Sequence, residues 1–144
     1  MCVAWTLVNA PAPIALDARL FVEHRRHHAL DPDAEWLPGV AIDDGEGAHA
    51  TILLPANRLA ATPVTLRAAA NDATLSRAAV WWRRHALDEE RARGYDAIGS
   101  ACHALTASLV VPAGDARPTM SARVSPAGTT SDAVSAWHAE PIAS

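Results

Sequence analysis

The chain has 144 residues, half of them hydrophobic, with a formal charge of −4, two cysteines and no lysine. Without lysine there is no Schiff-base chemistry, no P-loop lysine and no lysine general base, which excludes ordinary kinases and P-loop NTPases. The acidic balance argues against generic nucleic-acid binding by counterion release, and two cysteines make neither a disulfide framework nor a four-cysteine zinc site.

The hydrophobic half is unusual in kind. It holds 33 alanines and five tryptophans but one Phe and one Tyr, and all 12 basic residues are arginine. This is the usage of a GC-rich bacterial genome. Alanine buries little area, so the tryptophans are expected to carry much of the core. Met1–Leu16 lacks the positive region of a targeting signal, and Asn9, Pro11 and Pro13 cut its apolar run. No stretch approaches a membrane span. These features predict a cytoplasmic protein with no membrane association, and Cys2 and Cys102 as free thiols.

Taken in chain order, Val3–Val8 reads as a short β-rich segment ended by prolines. A helix is then expected from an N-cap at Asp17 to Asp31-Pro32, because Leu16, Leu20, His24 and His27 fall at helical spacing with Phe21 and His28 beside them. Val40–Ile42 and Thr51–Leu54 flank an Asp-Gly step, the best hairpin signal in the chain. Val64–Leu66 reads as a weaker strand.

Asn71 to Thr74 offers N-caps for the longest helical region, which runs to about Leu109. Leu75, Ala79, Trp82 and Ala86 form one stripe. Tyr95, Ile98, Cys102, Leu105 and Leu109 form another, with Gly94 between them, and this pattern predicts a helical hairpin. Ser108–Val111 and Met120–Val124 read as a second strand pair. The expected fold class is α+β, with two or three helices, including the hairpin near 74–109, on short antiparallel strand pairs. A single domain is expected over 1–125. Over 126–144 the residues form a small-residue tail, compatible equally with disorder and with a short helix capped by Ser131 or Asp132.

The densest chemistry is Glu23-His24-Arg25-Arg26-His27-His28. On a helix, His24 and His28 stand one turn apart, a spacing that lets two imidazoles share one divalent transition metal. Asp31, Asp33, His49, His85 and His103 are the candidates for a third ligand. His24-Arg25-Arg26-His27-His28 with Asp31-Pro32 is also similar to a histidine box of membrane fatty-acid desaturases. That family has further boxes and several membrane spans, which this chain lacks, so no residue is carried across.

Cys102-His103 has the composition of a nucleophile and base, but on a helix adjacent residues point about 100° apart. Trp81-Trp82-Arg83-Arg84 combines rings with cations, the pairing used on single-stranded nucleic acid. The acids that follow, Asp88, Glu89 and Glu90, oppose phosphate. On the expected helix Trp82 lies on the core stripe and Trp81 on the exposed edge. The leading functional expectation is a non-enzymatic interaction or accessory domain, with a protein partner or self-association through the Trp/Leu-lined hairpin. The alternatives are a metal-dependent hydrolase or oxygenase built on His24 and His28, and a weak nucleic-acid binder through Arg83 and Arg84.

Overall fold

A computed structural model describes residues 2–26, 29–43, 48–95 and 97–126. The strands are β1 (Cys2–Ala4), β2 (Leu7–Ala10), β3 (Ile14–Val22), β4 (Gly39–Asp43), β5 (Ala48–Leu54), β6 (Val64–Ala70), β7 (Thr74–Ala86), β8 (Ile98–Val111), β9 (Gly114–Ala116) and β10 (Thr119–Pro126), with α1 (Asp88–Ala92) between β7 and β8. Strands take 64% of the described residues and helix 4%, so the expected α+β class gives way to an almost purely antiparallel β architecture.

Two sheets make up most of the fold. One has five strands in the order β1-β10-β6-β5-β4 and the other three in the order β3-β8-β7, while β2 and β9 form a small separate pair. Buried side chains of β3 and β8 meet those of β5, β6 and β10 in a single cluster, and β7 passes over β4 and β5. This is a face-to-face β-sandwich. Six of the fourteen buried cluster members are alanine (18, 50, 68, 70, 104 and 107), so Ile52, Leu105, Leu20, Leu54, Leu66 and Met120 supply most of its volume.

The expected first helix is strand β3. Ala18, Leu20 and Val22 are buried in the core, whereas Asp17 and Arg19, on either side of Ala18, are exposed. That alternation is the period of a strand with one buried face. Asp17 caps no helix; its Oδ1 accepts a 2.6 Å hydrogen bond from Ser108 Oγ across the β3–β8 pair.

The second helical expectation fails in an instructive way. A hairpin does occupy 74–109, but β7 and β8 are its arms, paired from Thr74↔Ser108 to Ala86↔Ile98. Asn71 and Asp72 form a turn instead of an N-cap, with Asp72 at φ 53°, a left-handed conformation that Asp tolerates better than most residues. The β4–β5 hairpin matches its expectation, pairing Gly39↔Leu53 through Asp43↔His49, although its turn at 44–47 lies outside the described residues. Val64–Leu66 opens strand β6, also as expected. The second strand pair does not form: β8 stays in the three-stranded sheet, while β10 pairs with β6 and β1. The tail at 127–144, with Ser131, Asp132 and Trp137, lies outside the described residues.

Candidate functional site

The three-stranded sheet carries Trp81, Trp82, Arg83 and Arg84 on β7 and Cys102 and His103 on β8. Its register places Val22, Cys102 and Trp81 side by side, and Phe21, His103 and Val80 side by side one residue on. Successive strand residues point to opposite faces, so the first row enters the sandwich and the second faces outward. Trp82 follows Trp81 and belongs to the outer row.

On the inner side, Trp81 packs edge-on against Trp36 with ring centroids 5.0 Å apart and donates from Nε1 to Trp36 O at 3.0 Å. The Arg83 guanidinium stands over the Trp81 ring at 5.7 Å and donates to Ala34 O at 2.7 Å. Arg84 reaches Asp33 at 3.3 Å. Trp81, Arg83 and Arg84 therefore fasten the 33–36 segment along β7. The expected placement of the two tryptophans is reversed: Trp81 is the anchor and Trp82 the exposed ring, because the element is a strand.

On the outer side, Phe21 packs against two rings. Trp82 stands 4.8 Å away at a 59° tilt and His103 5.2 Å away at 32°. His103 Nε2 shares a 2.9 Å hydrogen bond with Thr106 Oγ1. Trp82 is 53% exposed and Val80 56% exposed. The sheet thus presents aromatic and aliphatic surface to solvent, with hydroxyl and imidazole groups among the rings. Neither Phe21 nor His103 stood out as part of this face in the sequence. The signal was Leu20-Phe21-Val22, three apolar residues in an alternating strand, one of which must point outward.

His24 follows β3 in an irregular segment rather than a helix, and His28 lies outside the described residues. His24 donates from Nδ1 to Pro55 O at 2.9 Å, its ring edge-on to Trp36 at 6.2 Å. Among the described residues no three His, Cys, Asp or Glu side chains gather as a metal group. Two candidate third ligands have ion-pair partners instead: Asp33 with Arg84, and Asp31 with Arg58.

The Asp31 side chain is largely enclosed, and its bonded Arg58 guanidinium holds its carboxyl below the usual value, against a smaller opposing effect of burial. A depressed carboxylate contributes stability that is present above its unfolded value and lost as pH falls through the folded one. Arg58→Ala is therefore expected to destabilise the protein at neutral pH. Its difference from wild type should shrink as pH falls below about 4, where Asp31 of the unfolded chain protonates, and vanish only below the lower folded value that Arg58 gives the wild-type carboxyl. Urea unfolding of the two proteins across that range checks the sign.

Cys102 and His103 are no catalytic pair either, now for a different reason: neighbouring strand residues face opposite sides of the sheet. The Cys102 side chain is fully buried, and burial pushes its thiol up, which leaves the thiolate scarce.

Together these features define a two-sheet antiparallel β-sandwich domain with an aromatic outer face. The sequence matches the family described as glycogen debranching enzyme N terminal over residues 1–117, and the chain belongs to that family. No curated protein and no solved structure shows a significant match. Among the described residues no helix is long and apolar enough to cross a membrane.

Proposed function

We infer that the chain is a non-catalytic accessory domain that works beside a catalytic body acting on a branched α-glucan. Its unit is the single domain expected over 1–125, in the cytoplasm. The observation that carries this reading is the family match over residues 1–117, whose description places the matching region at the N-terminal side of a glycogen debranching enzyme. The packing agrees with it. Four of the side chains that could do chemistry serve structure instead: His24 on Pro55 O, Asp31 on Arg58, Asp33 on Arg84, and Cys102 in the core.

An interaction role is kept as part of this proposal, on a different surface. A Trp/Leu helical hairpin is replaced by the outer face of a β-hairpin, and of Trp81, Trp82, Arg83 and Arg84 only Trp82 belongs to that face. Arg83 and Arg84 are engaged with Ala34 O and Asp33, which weighs against nucleic-acid binding. A divalent-metal site at His24 and His28 gains no support, since residues 17–26 of the stretch expected to be helical are strand and irregular segment.

The purified chain, incubated with glycogen, is expected to release no reducing sugar with or without added divalent transition metal. Sugar release that disappears in His24→Ala would overturn the accessory reading and restore the metal-dependent one.

A further inference from the structure

The geometry points to a sugar-stacking platform on the outer face of β3, β8 and β7, centred on Trp82 and Phe21, that takes a glucose residue of an α-glucan chain. The choice of α-glucan rests on the accessory-domain reading; the platform itself rests on the rings and their surroundings.

A half-exposed indole on the outside of a sheet calls for an explanation, since large apolar surface is normally covered. Here the ring is not loose. Phe21 packs against it at 4.8 Å, and His103, on the strand between them, packs against Phe21 at 5.2 Å. A surface whose rotamers are already held loses little further freedom on binding.

The rim selects the ligand. Thr106 and His103 are joined at 2.9 Å, and Arg19 and Ser76 both stand opposite Thr106 in register, on β3 and β7. Ser108 and Asp17 form the next row. The face therefore offers flat apolar surface bordered by hydroxyl, imidazole and guanidinium groups. A pyranose has that same division, with one face of C–H bonds and hydroxyls around its edge. Charge agrees as well: Asp17 and Arg19, both exposed, lie two residues apart on the same face of β3 and offset each other, which suits a neutral ligand. A polyanion would meet the Asp17 carboxylate beside Arg19, and would gain little there by counterion release.

The test is native electrophoresis of the chain in gels cast with and without glycogen, with thermal unfolding followed for each variant. Glycogen is expected to slow the wild type. Trp82→Ala, at a half-exposed position, is expected to fold and to bind about tenfold more weakly, the effect of one aromatic contact. Trp82→Phe keeps a ring and should recover part of the retardation. Val110→Ala, 72% exposed at the far end of the same sheet, should migrate like wild type.

A cooperatively folded wild type that runs unretarded would overturn the platform, and so would Trp82→Ala retarded as strongly as wild type. A Trp82-dependent dimer in light scattering without retardation would assign the face to self-association and also overturn it. None of these outcomes touches the accessory reading, which falls only if the chain itself releases sugar.

Discussion

Ile52→Ala lowers the unfolding free energy by about 2–5 kcal/mol and the melting temperature by something on the order of 10 °C. Ile52 is 0% exposed in the middle of β5, facing a core in which Ala50, Ala68, Ala18, Ala104 and Ala107 are also buried. Large-to-small substitution costs more when the surroundings cannot move in to fill the gap. Alanine neighbours have no rotamers with which to do so, and Ile52 is held in register between Val40 and Leu66 by β4 and β6. Leu53→Ala provides the control. Leu53 is the next residue, 45% exposed on the opposite face, and its loss should lie within about 0.5 kcal/mol of wild type. Chemical denaturation of the pair measures both. Similar losses at the two positions would mean that the inner and outer faces of β5 are wrongly assigned.

The same alternation was present in the sequence, and why it was read as helix is a matter of arithmetic. Leu16, Leu20 and His24 are four apart, and a spacing of four satisfies both a helix turn and an even-numbered strand face. The deciding residues were Ala18 on the inside and Asp17 and Arg19 on the outside. Alanine, favourable in helices and weakly hydrophobic, left that signal faint. Where strands announced themselves with β-branched and large aliphatic residues, as at Val40–Ile42 and Thr51–Leu54, the reading held.

The β7–β8 region misled for a sharper reason. β7 slips register against β8 between Arg77 and Val80 and again between Trp82 and His85, and β8 carries an extra residue, Ala104, opposite the step from Leu20 to Phe21. Each bulge shifts the alternation by one residue. The less exposed positions of β7 consequently fall at Leu75, Ala78, Trp81 and His85, and in β8 Cys102 and Leu105 share the core three residues apart. Spacings of three, three and four are the signature of a helix. A strand with two bulges reproduces it, and no window of hydrophobic periodicity separates the two. Helical spacing accordingly puts Trp82 in the core and Trp81 at the surface. The aromatic outer face could not be assembled from sequence, because Phe21 and His103 reach it only through pairings 82 residues apart in the chain.

Ser100→Ala is expected to cost about 1–3 kcal/mol, a large effect for the removal of one oxygen. Ser100 is only 5% exposed, and its hydroxyl does two things at once. It donates to Pro32 O at 2.7 Å and accepts from Arg84 N at 3.0 Å. Arg84 sits at the second β7 bulge with φ of 55°, a left-handed conformation unfavourable to an arginine, so its N–H does not follow the regular β7–β8 ladder. Removing the hydroxyl strands the Arg84 N–H and the Pro32 carbonyl together. Leaving a partner unsatisfied costs more than the bond itself contributes. The consequence should be local as well as global. Pro32 leads into the segment whose Ala34 and Trp36 carbonyls accept from Arg83 and Trp81, so its release should raise amide exchange across 33–36 before the sheets open. Ser108→Ala, which loses an exposed bond to Asp17, should change stability far less. Because Ser100 faces away from Phe21, Trp82 and His103, the variant should keep whatever glycogen retardation the wild type shows at temperatures where it remains folded. Equal amide exchange in the 33–36 segment of wild type and Ser100→Ala would show that Trp81 and Arg83 hold that segment without the serine.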